Sequence, residues 1–207
     1  MLTTLAVDAD GQPCYALEGS VFIAGAAIQW LRDEMGLLER AADSETAARS
    51  VDDNGGVYLV PAFVGLGAPH WAPNVRACIV GLSRGTNRNH IIRAALEAIA
   101  FQTADVLRAM QQETGLKALE LAVDGGAAAN GFLLQFQADI LDCTVIRPTM
   151  IESTSTGAAF LAGRQAGIWP DANALLALKS CDRAFVPQMG SQERQALMAG
   201  WQHALRQ

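Results

Sequence analysis

The sequence predicts an α/β fold, and three observations carry that prediction. From the middle of the chain onward, apolar runs of strand length alternate with helical stretches, the pattern of sheets covered by helices. The stretch ELAVDGGAAANGFLLQFQADIL, Glu120 to Leu141, reads as a strand, a glycine turn and an amphipathic helix. Composition agrees: 51% of residues are hydrophobic and 17% charged, which builds a core rather than a disordered chain. A length of 207 residues allows one large domain or two small ones.

The chain opens with LTTLAVDADGQPCYALEG, two extended segments around Asp10-Gly11, which reads as a β-hairpin. Its DADG string lacks the spacing and terminal Glu of a calcium loop. Ser20 is the predicted cap of a helix running to about Leu38, with Ile23, Ala27, Trp30 and Leu31 inward and Gly36 as its stop. A short polar helix follows at Ser44 to Arg49, with Asp43 as its cap. Val57 to Leu66 reads as a strand that Pro61 confines to an edge or a bend. GLGAPHWAPN has too much Gly and Pro for a helix and reads as an ordered loop. Ala77 to Leu82 is a further short strand. Asn89 is the expected cap of a long apolar-faced helix from His90 to about Gln112, stopped by Gly115.

After the strand-turn-helix comes a strand at Cys143 to Arg147, halted by Pro148. STSTGAAFLAGRQAGIW reads as a helix whose Gly157, Ala158, Ala162 and Gly163 allow close approach to a sheet. The tail is expected to hold helices near Ala172 to Lys179 and Gln192 to Arg206.

The glycine turn is the first candidate for chemistry. A strand that ends in Gly125-Gly126 before a helix presents free amides and the positive end of a helix dipole, a natural anion site. The competing reading is an ordinary β-α connection, which also favours glycine. Other classes are disfavoured. A net charge of −6 with scattered basic residues argues against a nucleic-acid partner. Cys14, Cys78, Cys143 and Cys181 form no CxxC pair. No apolar run nears the roughly 20 residues of a membrane span, and no leader-like start precedes the first strand. The default location is a reducing cytoplasm. His70, His90, His203, Ser83 and Asp124 form no coherent triad by sequence.

Three stretches together resemble the C-terminal part of the FGGY carbohydrate kinase family. They are YALEGSVFIAGAAIQWLRDEMGLL from Tyr15, VYLVPAFVGLGAPHWAPNVRACIVGLSRGTNRNHIIRAALEAIAFQTADVL from Val57, and VDGGAAANGFLLQFQADIL with the later TGAAFLAG. Within them GLSRGTNRNHIIRAALE fits the family signature at Gly81-Leu82, His90-Ile91 and Ala94 to Glu97. GLGAPHW is similar to the loop of the family's glycerol-phosphorylating branch, where sugar kinases carry a charged loop. Val64 and His70 depart from that branch, which commonly has Thr and Tyr there.

The resemblance implies a ribonuclease H-like domain of the actin-hexokinase type, occupying 1–207 and incomplete at its N-terminal strands. It implies the nucleotide-binding part of an enzyme converting ATP and glycerol to ADP and sn-glycerol 3-phosphate, with Mg²⁺ spreading charge on the phosphates. The family's catalytic Asp lies in a Gly-Asp-Gln motif, and no Gly-Asp-Gln occurs here. No catalytic residue and no metal ligand is therefore assigned, and the chain alone is expected to be inactive. Glycerol would be met by the N-terminal domain, and an unpaired sheet edge implies a homo-oligomer or a mobile Leu2 to Glu18. By the same resemblance Gly126 would let its backbone approach the phosphates, Asn130 would reach the nucleoside, and Gly25 and Gln29 would add further nucleotide contacts. Each also has a plainer reading: close helix packing for Gly25, a solvated helix residue for Gln29, an N-cap for Asn130. An FGGY kinase for another polyol or sugar, and a non-catalytic association module, remain the alternatives.

Overall fold

The structure, a computed structural model, describes residues 1–8 and 11–207. The expected turn at Asp10 lies outside the described residues. Strands β1 (Leu2–Val7) and β2 (Pro13–Glu18) form the expected hairpin, antiparallel from Leu2 opposite Glu18 to Val7 opposite Pro13. Among the described residues these two strands pair only with each other, and Leu5, Val7 and Tyr15 stay exposed.

The next helix is shorter than expected. Ser20 does not cap it: α1 (Gly25–Asp33) starts after Ala24, with no side-chain cap. The Ser20 carbonyl instead accepts the Ala68 amide at 3.1 Å, which ties the approach segment to the Gly-Pro loop. Asp43 is likewise the first residue of α2 (Asp43–Arg49) rather than its cap, and it holds the Arg40 amide at 3.0 Å. The strand expected from Val57 to Leu66 is only β3 (Tyr58–Val60), because Pro61 removes the donor that would continue the ladder. It pairs antiparallel with β4 (Cys78–Val80).

The central element is α3 (Arg88–Thr114). Its cap is Asn87, not Asn89. The Asn87 side chain accepts the Asn89 and His90 amides at 2.9 and 3.4 Å, and His90 Nδ1 returns by accepting the Asn87 amide at 3.2 Å. Asn89 turns away to donate to Ser50 Oγ at 2.8 Å. Gly115, at φ 71°, stops the helix as expected.

β5 (Glu120–Ala122) leads through a 3₁₀ turn (Gly126–Ala129) into α4 (Gly131–Leu141). The expectation of a helix directly after the glycines is corrected by this intervening turn. β6 (Thr144–Pro148) runs parallel to β5, then α5 (Ser153–Gln165) and α6 (Ala172–Leu176) follow. Sequence reading missed β7 (Cys181–Phe185), which pairs antiparallel with β6 to give the order β5-β6-β7. Helix α7 (Ser191–Ala204) closes the chain. The small residues of α5 do not press on a sheet: Ala158 and Ala162 are exposed, and Gly163 is buried against the Trp169 ring.

The core gathers α1, α2, α3, α4, β3 and α7 around α3. Phe101 stacks on Trp201, with ring centroids 5.4 Å apart, and meets Phe136 edge-on at 5.5 Å. A smaller cluster of Leu134, Ala138, Val145 and Phe185 seals α4 onto the three-stranded sheet.

Two buried carboxylates tie loops to α3. Asp105 accepts Trp201 Nε1 at 2.8 Å and Gln202 Nε2 at 3.0 Å, and lies 2.9 Å from His70 Nε2. Glu97, 1% exposed, accepts Arg93 Nε at 2.8 Å and Asn54 Nδ2 at 2.9 Å. Burial pushes the Glu97 carboxyl above the usual carboxylate range, while Arg93 and Asn54 pull it back. Proton binding therefore favours the folded state. This contribution is full below the unfolded value of about pH 4.3 and is lost as pH rises through the folded value. In urea unfolding, the stability difference between wild type and Glu97→Gln is expected to move against the wild type as pH rises above the unfolded value of about 4.3. A difference flat with pH would contradict the raised carboxyl.

Among the described residues no helix is long and apolar enough to cross a membrane.

Candidate nucleotide site

Gly125 has φ 78°, a conformation that a side chain resists, and its amide donates to the Ile151 carbonyl at 2.7 Å. This bond holds the end of β5 against the segment after β6. The hydrogen bonds of the 3₁₀ turn begin with the Ala128 amide on the Gly125 carbonyl at 3.0 Å. The amides of Gly126 and Ala127 precede that ladder and are not used by it. Arg147 reaches the far end of the turn, with Nη1 3.4 Å from the Ala128 and Ala129 carbonyls, while its Nε holds Asp182 at 2.6 Å. Asn130 then caps α4, its Oδ1 accepting the Leu133 amide at 3.0 Å.

Gly125, Gly126, Ala127, Ala129 and Asn130 form one wall of a cavity of about 590 Å³. Gly25, Gln29, Gly126 and Asn130 all line it, although they come from α1 and from the start of α4, about a hundred residues apart. A β-carbon built on Gly126 meets nothing within 4 Å, and neither does one on Gly25. That corrects the plainer reading of Gly25, since no neighbouring helix presses on it. Gln29 is exposed and one turn along α1, on the same face as Gly25. For Asn130, capping is observed and does not remove it from the cavity wall.

The opposite wall was not legible as a site. Ala41, Ala42, Ser44 and Glu45 border the cavity from the start of α2, and Leu96, Ile99, Ile28 and Leu133 supply its apolar floor. The short polar helix gave no motif by which Ser44 and Glu45 could have been found; only the packing of α2 beside α4 brings them in. Glu45 accepts the Gly131 amide at 2.9 Å and Arg49 Nε at 3.0 Å.

At the Gly126 end stand amides outside the bonds of the 3₁₀ ladder, which favour an anion, beside the Asp124 carboxylate; at the α2 end stands Glu45, its charge paired with Arg49. The size of the cavity suits a small organic ligand. Asp124 lines it as well, and its carboxylate accepts the Ser153 hydroxyl. A second cavity, of about 730 Å³, lies beyond Asp124 between the sheet and α5, with Val123, Ile146 and Phe160 among its walls. It contains none of the four candidate residues. Among the described residues no three His, Cys, Asp or Glu side chains converge as a metal site.

Comparison with known proteins follows this geometry. The family model for the C-terminal domain of the FGGY family of carbohydrate kinases matches residues 1–166. Glycerol kinase from Aeromonas salmonicida is 57% identical over 205 residues, covering 99% of this chain and 41% of the relative. Glycerol kinase from Shewanella amazonensis is 56% identical over 206 residues, covering 100% of this chain and 42% of the relative. The chain therefore spans about two-fifths of the curated relatives it matches. Among solved structures, Plasmodium falciparum glycerol kinase with ADP superimposes with a TM-score of 0.88 at 33% identity, over 99% of this chain and 41% of that one. Xylulose kinase from Lactobacillus acidophilus shares the fold, with a TM-score of 0.77 at 24% identity, over 96% of this chain and 41% of that one. The fold is thus α/β of the actin-hexokinase type.

Proposed function

The chain belongs to the FGGY family of carbohydrate kinases, and on that premise we propose that it is the nucleotide-binding C-terminal part of a glycerol kinase. The complete enzyme would transfer the γ-phosphoryl of ATP to glycerol, giving ADP and sn-glycerol 3-phosphate. The observation that carries the reading is the convergence of Gly25, Gln29, Gly126 and Asn130 on one cavity. The polyphosphate lies at the Gly126 and Ala127 amides, and the nucleoside extends toward α1 and α2. Support comes from the high identity to glycerol kinases along almost the whole chain and from the likeness to a glycerol kinase whose structure carries ADP.

In phosphoryl transfer the protein positions groups and neutralises charge rather than forming bonds of its own. Here that work belongs to backbone amides and a glycine surface, which clamp the nucleotide without a side chain in the way. A bound Mg²⁺ would supply neutralisation of the phosphate charge beside these amides. The general base and the glycerol contacts are not assigned to residues of this chain. The same reading takes the protein as cytoplasmic and self-associating, the second supported by the unpaired outer edges of the hairpin.

Expression of the gene with its upstream sequence is expected to give ATP-dependent phosphorylation of glycerol, followed by coupled ADP release. The chain of 207 residues purified alone is expected to give no turnover. Turnover by the rigorously purified chain alone, or a complete protein that phosphorylates a sugar and ignores glycerol, would overturn this assignment.

A further inference from the structure

The Asn130 side chain is held in one orientation by a relay that starts in α2. Its Oδ1 accepts the Leu133 amide, a group that can only donate. Its Nδ2 donates to Ser44 Oγ at 3.1 Å, and Ser44 gives its single proton to the Ala41 carbonyl at 2.6 Å. A hydroxyl already donating to a carbonyl can only accept from Asn130, so a flipped amide would lose both contacts. Ser44 is 2% exposed, so no bulk water replaces it. One residue further on, Glu45 Oε2 accepts the Gly131 amide at 2.9 Å, while Arg49 steadies Oε1 at 3.0 Å. Helix α2 thus braces the first turn of α4, although 86 residues separate the partners.

Resting on the nucleotide assignment above, we infer that Ser44 and Glu45 are positioning residues that set the base preference of the site. With the relay in place, Asn130 keeps one free Nδ2–H and one free Oδ1 lone pair for the ligand. A 6-aminopurine matches this pair, offering a ring nitrogen as acceptor and an exocyclic amine as donor. A 6-oxopurine presents an oxygen to the Oδ1 lone pair and is rejected. Without Ser44 only the Leu133 amide fixes the sense of the Asn130 side chain, and the distinction weakens. Neither residue needs to touch the phosphates.

The test measures binding of ADP, IDP and tripolyphosphate to this chain by calorimetric titration. Ser44→Ala is expected to lower ADP affinity about tenfold, the scale of one neutral hydrogen bond, and to leave IDP and tripolyphosphate unchanged. Ser44→Thr, which keeps the hydroxyl, is expected to restore ADP binding. Where Ser44→Ala fails to fold, Glu45→Ala is the second variant, on a side chain 33% exposed. It is expected to lose ADP affinity several-fold and spare tripolyphosphate, with Glu45→Gln rescuing it. Equal losses for all three ligands, or none for ADP, would overturn the positioning role. A wild-type chain that binds tripolyphosphate but shows no preference for ADP over IDP would also overturn it. A wild-type chain that binds none of the three would instead overturn the nucleotide assignment itself.

Discussion

Gly126→Val is expected to lower ADP affinity at least about 100-fold, equivalent to about 2.8 kcal/mol, while leaving the fold nearly intact. Both halves of this expectation come from one geometric fact. A β-carbon at Gly126 meets no protein atom within 4 Å, so folding gains no clash. The residue has no positive φ to forbid a side chain, unlike Gly125 at φ 78°. A branched residue at the start of a 3₁₀ turn then costs only a few tenths of a kcal/mol in propensity. The open space it would fill is the cavity itself, directly over the amides proposed to receive the phosphates. Calorimetry with ADP, beside a thermal melt, separates the two effects. A variant that melts like wild type and binds ADP equally well would remove the phosphate end of the proposed site.

Glu97→Ala is expected to destabilise the chain by about 3–5 kcal/mol at neutral pH. Removing the carboxylate leaves Arg93, only 15% exposed, as an uncompensated cation, and leaves Asn54 without its acceptor. Arg93 also donates to the Val51 and Asp52 carbonyls at 2.7 and 2.9 Å, so the loop before β3 loosens with it. Against a total stability of about 5–15 kcal/mol for an ordinary domain, the loss is a large fraction. Urea unfolding should show the midpoint falling with the slope unchanged. A shift equivalent to less than about 1 kcal/mol would mean that the pair is solvated and structurally idle.

Local signals in the sequence located most elements, and the errors share one cause. Gly115 and Pro148 act where expected for opposite reasons: Gly115 is free to take the positive φ that ends a helix, and Pro148 has its φ fixed and no amide to donate. Asn87 and Asn89 are chemically identical candidates two residues apart. The choice between them rests on His90 reaching back and on Ser50 capturing Asn89 from another element. Ser20 failed as a cap because a loop 48 residues later uses its carbonyl. β7 was missed because CDRAF is exposed along most of its length and carries no alternation; it is a strand only because β6 offers it an edge. The site followed the same rule. The glycine turn was legible from its residues as a candidate anion site beside the reading of an ordinary β-α connection, and the family resemblance supplied Gly25, Gln29 and Asn130 as further candidates. Ser44 and Glu45 needed the packing of α2 on α4.

The hairpin at the start of the described chain gives the molecule two thermodynamic regimes rather than one. Among the described residues its strands pair only with each other, and they are exposed along nearly all their length. An isolated two-stranded ribbon is marginal in water, so it opens without waiting for the core around α3 to unfold. Amide hydrogens of Leu2–Val7 should exchange with solvent deuterium orders of magnitude sooner than those buried along Ala94–Ala100. A protease should find the first eighteen residues while the cavity between α1 and α4, which does not include them, is still whole.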